Sequence, residues 1–255
     1  MTGRKKYSKG YKMVRMPRQV LPARMMVKLP YWDIVQIVNT PHTDGTADYV
    51  YCLNSLFDPD VTGGGHQPRG FDQWSALFGQ YMVHGCKYEV RFYTSDIGAV
   101  SDIAIFMDVG TIVGPNNVSS LFTANNDLTF NEYPADGYHK TRRIVRNSSS
   151  VAVSQATAGW DSRSSLCKGY VKMKRLHDDF RGILYGTNTT HYIWPQDYQS
   201  SVAGNPNSEQ YLVLFANSLL GDGSGGTLNA LPYVYADVKL TYYVEFFAPV
   251  YPAAS

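Results

Sequence analysis

Apolar and polar residues alternate with a period of two in several long stretches of the chain. Between Lys87 and Thr94, Tyr88, Val90 and Phe92 fall on one side, and Lys87, Glu89 and Arg91 on the other. Asp102–Val109 repeats the pattern, with Ile103, Ile105, Met107 and Val109 opposed to Asp102, Ala104, Phe106 and Asp108. In Tyr233–Phe247, Val234, Ala236, Val238, Leu240, Tyr242, Val244 and Phe246 share one side, and Asp237, Lys239, Thr241 and Glu245 share the other. One dry and one wet sheet face require this division. Tyr31–Asn39, Ala47–Leu53, His139–Val145, Val151–Gln155, Gly169–Leu176 and Gln210–Ala216 are further strand candidates, for about eight or nine in all.

Helical periodicity is confined to two places. Phe71–Phe78 sets Phe71, Trp74, Leu77 and Phe78 at helical spacing before Gly79, and Val118–Thr123 can form a short turn after Asn117. Long polar connections, Asp58–Gly70, Asn116–Gly137 and Leu220–Leu231, separate the strands. Because the strands do not alternate with helices of crossover length, the pattern predicts an all-β sandwich with elaborated loops and one or two short helices. No internal repeat is visible.

Charge changes this picture at the N-terminus. Nine of the 23 Lys and Arg residues fall within the first 28 positions, and no Asp or Glu precedes Asp33. From residue 29 onward 14 basic residues face 21 acidic ones, a formal charge of −7. Residues 1–24 have no sustained period and are expected to be a disordered basic arm before a single folded body, residues 25–255. A basic tail on an acidic globule attracts a polyanion. No apolar run approaches the ~18 residues that span a bilayer, so membrane insertion is not expected. Cys52, Cys86 and Cys167 are odd in number, have no metal-type spacing, and read as buried thiols.

Catalytic chemistry has no visible constellation. None of the six histidines stands in a His-x-x-x-His pair or near a cysteine at zinc spacing. Gly221, Gly223 and Gly226 match a dinucleotide fingerprint in form, yet Pro232 follows where the motif demands a helix. Asp58 and Asp60 flank Pro59, more as a solvated turn than as a calcium loop. No enzyme, metal or cofactor is therefore expected. Two internal basic clusters remain: Lys140, Arg142, Arg143 and Arg146, then Lys168, Lys172, Lys174 and Arg175. They either line a second polyanion surface or are ordinary solvated strand positions.

The stretch Leu53–Phe92 carries a more specific signal. Asn54-Ser55-Leu56-Phe57-Asp58-Pro59, Gly65-His66-Gln67-Pro68, Gln73 through Tyr81, and Gly85-Cys86-Lys87-Tyr88 follow one another in order. In this it resembles the capsid proteins of small circular Rep-encoding single-stranded DNA viruses, specifically over about forty residues and loosely elsewhere. An arm with Tyr7, Tyr11, Met13, Val14 and Met16 among its cations is less arginine-dense than that of circoviruses, which implies a divergent lineage. The resemblance implies a single jelly roll of two four-stranded antiparallel sheets folded as Greek keys. It also implies self-assembly into a small icosahedral shell of T=1 type around a circular single-stranded DNA genome.

On this reading the arm contacts the genome through Arg4, Lys5, Lys6, Lys9, Lys12, Arg15, Arg18 and Arg24, joined by Lys140, Arg142, Arg143 and Arg146. The partners expected are further copies of the chain, the DNA, a host nuclear import receptor that reads the arm, and a cell-surface attachment factor. The expected locations are the virion and, during assembly, the host nucleus. Leu56, Phe57, Leu121, Phe122, Ile193 and Trp194 are candidates for subunit contacts. A shell of a small single-stranded RNA virus shares the architecture, and a cellular jelly-roll carbohydrate-binding module is the reading from another class.

Overall fold

The computed structural model describes residues 21–37, 46–62, 64–94, 105–115, 139–146, 164–184, 193–218 and 234–250. Nine strands appear in it: β1 Arg24–Ile37, β2 Thr46–Cys52, β3 Phe78–Thr94, β4 Ile105–Pro115, β5 His139–Arg146, β6 Ser164–Lys172, β7 Gln199–Ser201, β8 Gln210–Ser218 and β9 Val234–Pro249. Helix α1 spans Phe71–Ser75, and α2 spans Met173–Leu184. One sheet runs β1-β9-β3-β6, with the short β7 beside β3, and the other runs β2-β8-β4-β5.

All the pairings are antiparallel and four of them nest: β1 with β9, β2 with β8, β3 with β6, β4 with β5. That is a double ribbon rolled on itself, and the β3–β9 and β4–β8 pairings close the two sheets. The fold is a jelly roll on this strand order alone.

Burial follows the alternation. The seven apolar residues of β9 from Val234 to Phe246 are all 2 % exposed or less. They face Leu212, Leu214, Val109 and Val113 of the second sheet across a single core. Pairing of Phe215 with Gly110 shows why β4 carries a glycine: a Cβ there would lie 2.3 Å from the Phe215 ring and 2.2 Å from the Lys140 carbonyl oxygen. On the reverse face of the second sheet Ile112, Val213 and Phe215 form a smaller buried cluster with Val50.

Four expectations shift. β1 starts at Arg24, seven residues before the expected Tyr31, because it lies at a sheet edge where Pro30 costs no ladder bond. α1 stops at Ser75, and Phe78 opens β3 instead; its ring still meets Phe246 beside those of Phe71 and Trp74. The strand expected over Gly169–Leu176 ends at Lys172, and α2 begins at Met173. There Met173, Leu176 and His177 are buried while Lys174, Arg175, Asp178 and Asp179 are exposed, a helical spacing that Lys172 and Lys174 had disguised as alternation. Leu56 is fully buried and belongs to the core. Val118–Thr123, Val151–Gln155, Leu121 and Phe122 lie outside the described residues.

The motif-bearing loop 53–70 is a clasp between the sheets. Asn54, fully buried, donates from Nδ2 to the Ser208 carbonyl (2.7 Å) and accepts the Gln210 N–H (2.7 Å). The Tyr81 hydroxyl accepts the Leu56 N–H (3.2 Å) and donates to the Gly204 carbonyl (3.0 Å). Asp60 accepts from the Tyr49 hydroxyl (2.8 Å) and from the Thr62 N–H (3.0 Å) and hydroxyl (2.8 Å), so it is a turn residue whose oxygens are already engaged. His66 lies against Tyr31 with ring centroids 4.6 Å apart. Its two ring nitrogens face the Gln67 and Trp32 carbonyl oxygens, each at 2.9 Å.

The three cysteines are buried thiols. Burial pushes the Cys52 thiol up to about 12 and the Cys86 thiol higher still, which keeps both un-ionised.

Candidate nucleic-acid interface

Arg4, Lys5, Lys6, Lys9, Lys12, Arg15 and Arg18 lie outside the described residues. Arg24 opens β1, opposite Phe247, so it is part of the sheet that roots the arm. Its guanidinium donates to Glu245 (2.9 Å), and the other oxygen of that carboxylate is 2.8 Å from His84 Nε2. Burial pushes the Glu245 carboxyl up, but His84 and Arg24 outweigh it and hold the group below its ordinary range. The bulge between Val83 and Gly85 in β3 carries His84.

Lys140 and Lys168, one from each internal cluster, meet at one edge of the sandwich although they belong to different sheets. Lys140 of β5 donates its ammonium to the Lys168 carbonyl of β6, and the same nitrogen stands 5.7 Å from the centre of the Tyr88 ring. Arg142, Arg143 and Arg146 follow on β5, in register with Val109, Asp108 and Ile105 of β4. Lys140, Arg142 and Arg146 occupy positions of one parity along the strand and Arg143 the other. Lys168 and Lys172 lie on the outward face of the first sheet, whereas Lys174 and Arg175 have moved onto α2, where Arg175 pairs with Asp179 (3.4 Å).

The strand order assembles a basic surface of which the sequence offered Lys168 and Lys172 as a candidate cluster, without the strands that extend it. Rows across β1-β9-β3-β6 read Lys28–Tyr243–Gly85–Lys172, then Pro30–Thr241–Lys87–Tyr170, then Trp32–Lys239–Glu89–Lys168, then Ile34–Asp237–Arg91–Leu166. With Arg24 and Glu245 this outward face holds seven basic and three acidic residues, a net of +4. From residue 24 onward the chain has 16 basic and 21 acidic residues, so the rest of the body carries −9. Alternation had marked Lys87, Arg91 and Lys239 as outward. Only the strand order brings them beside Lys28, Lys168 and Lys172. Among the described residues no three His, Cys, Asp or Glu residues cluster as a metal site, and no helix is long and apolar enough to cross a membrane.

No protein-family model and no curated protein matches the sequence. Solved structures of viral shells do overlap it. The decameric BFDV capsid protein is 16 % identical, with 88 % of this chain and 98 % of that one covered and a TM-score of 0.39. The giant freshwater prawn Macrobrachium rosenbergii nodavirus semi-empty VLP is 10 % identical over 100 % of this chain and 97 % of that one, TM-score 0.46. Mud crab tombus-like virus is 13 % identical over 93 % and 96 %, TM-score 0.43. All three scores lie below 0.5, and the fold assignment stands on this chain's own strand order and register.

Proposed function

We propose that this chain is a viral coat protein whose jelly-roll body self-assembles into a small icosahedral shell while its arm packages a circular single-stranded DNA genome. The observation that carries this reading is the joining of arm to body. A jelly roll in which the basic segment leads directly into edge strand β1 has its most concentrated positive charge at the root of one sheet. The order of motifs over Leu53–Phe92 points to the same class. Arg4, Lys5, Lys6, Lys9, Lys12, Arg15 and Arg18 act by counterion release, each phosphate contact freeing a condensed cation. Such contacts position a strand without reading its bases. Exposed before assembly, the same segment serves as a nuclear import signal.

Self-association needs partly apolar surface. Phe57, Val61, Leu77, Ile193 and Val250 supply it, each between 39 % and 57 % exposed. Negative-stain microscopy of the purified protein, with nuclease digestion of any nucleic acid it retains, tests the reading. Uniform shells whose contents resist DNase until the shell is opened are expected. A monomer that binds glycans would establish the carbohydrate-binding module instead, and contents degraded only by RNase would establish an RNA virus shell.

A further inference from the structure

The outward face of β1-β9-β3-β6 combines excess cations with exposed rings. Trp32 is 55 % and Tyr170 52 % exposed, so both rings are open to a ligand on this face. Both are held in place. The Trp32 indole N–H donates to the Asp237 carboxylate. Tyr170 meets Tyr243 edge to face at 5.6 Å, and the Lys28 ammonium lies 5.2 Å from the Tyr243 ring centre. All three acids of the face are already engaged: Asp237 by Trp32, Glu89 by Lys87, and Glu245 by Arg24 and His84. Lys87 and Arg24 offset the two glutamates, the neutral indole leaves the Asp237 charge in place, and the face keeps its net of +4.

We propose that this face is a second nucleic-acid site, a stacking platform for unpaired bases on which Trp32 and Tyr170 hold the bases and Lys28, Lys168 and Lys172 the phosphates. It rests on the coat-protein reading for its ligand but uses residues the arm does not contain. Fixed rings flanked by cations are what sequence-tolerant binding of single strands requires. Trp32 and Tyr170 lie three strand spacings apart, about 15 Å at ~4.8 Å each, so they take different bases rather than sandwiching one. A second copy of the same face is a poor occupant, since two surfaces of +4 repel. The acidic remainder of the body directs a polyanion here as well.

The test uses the full chain at nanomolar concentration, with a thirty-residue oligothymidylate and inorganic polyphosphate as probes. Trp32→Ala with Tyr170→Ala is expected to weaken oligothymidylate binding by roughly tenfold to a hundredfold per ring with the log–log salt slope unchanged. Polyphosphate, which has no bases, should bind that variant as it binds wild type, and Trp32→Phe with Tyr170→Phe should restore affinity for the oligonucleotide. Lys168→Ala with Lys172→Ala should instead flatten the salt slope by about 1.4, a readout that survives if the aromatic variant fails to fold. Unchanged oligothymidylate affinity in the alanine variant overturns the proposal, as does equal loss on both probes or loss of particles with binding intact. Removal of residues 1–23 separates the two readings: if that truncation leaves binding unaltered, the arm fails and the platform is measured alone.

Discussion

Removing residues 1–23 tests the arm with the least damage to the body. The cut belongs before Arg24, because Arg24 already pairs with Phe247 in β1 and with the Glu245 carboxylate. It deletes seven cations, Arg4, Lys5, Lys6, Lys9, Lys12, Arg15 and Arg18, and leaves Lys28 on the sheet. For single strands each phosphate contact contributes about −0.7 to the log–log salt slope, so the truncation should make the slope shallower by about 5 if all seven engage. Between 50 and 200 mM salt, a slope of that size alone is worth roughly a thousandfold in affinity. Fluorescence anisotropy of a labelled oligothymidylate over that range, for full and truncated chains, reads both slopes. Far-UV dichroism and a thermal midpoint within a degree or two of the full chain would show that β1 is intact. An unchanged slope would refute the arm as the main phosphate contact and move that role to the sheet face and to the Lys140–Arg146 strand. Strong preference for one short sequence would be equally damaging.

Asn54→Leu should destabilise the body by about 2–3 kcal/mol in urea denaturation, since it leaves the Ser208 carbonyl and the Gln210 N–H buried without their partner; a smaller loss than 1 kcal/mol would mean that the loop re-satisfies both. His66 has its pKa raised, chiefly by the Gln67 carbonyl against the opposing effect of burial, with the Trp32 carbonyl and Asp33 adding to it. Its contribution is therefore fully present below its unfolded value of about 6.5 and disappears as pH rises through the folded one; the gap in thermal midpoint between wild type and His66→Ala should narrow from pH 5.5 to 8.5, and a widening gap would reverse the assignment. Trp194 packs on the core, with its ring 4.9 Å from Tyr198, so Trp194→Asp should cost stability. Ile193→Asp, at a side chain 57 % exposed, should leave the melt unchanged and reduce particle yield in sedimentation.

Legibility tracked how local each signal was. β9 could be read residue by residue, because one strand paired on both sides in the middle of a sheet must alternate without interruption. β1 was read short: Met25 and Met26 are both exposed and Pro30 breaks the propensity, features that an edge strand tolerates and a central strand does not. α2 was missed because Lys172 and Lys174, two apart, fit a strand as well as they fit the junction where the period changes. The arm was legible as a run of cations. The basic face was legible only at Lys168 and Lys172, since its residues are drawn from four strands spread from Arg24 to Glu245 and share nothing in sequence except parity. Strand order, a global property, makes them neighbours.

The two outer faces of the sandwich differ in a way that bears on function. On the second sheet Ile112, Val213 and Phe215 are each 1 % exposed or less, so the centre of that outer face is apolar and buried. On the first sheet the corresponding face is open, cationic and ringed, and the arm begins at its edge strand. On the proposed reading, a polyanion held by the arm would meet this face, at +4, rather than a remainder at −9. Spread evenly over the surface, the same charges would have no direction and could not orient the molecule. In the proposed shell, cations concentrated on one face and its tail would give the subunit a definite inner side. A shell whose subunits all turn the same side toward the genome needs that polarity before any contact between subunits forms.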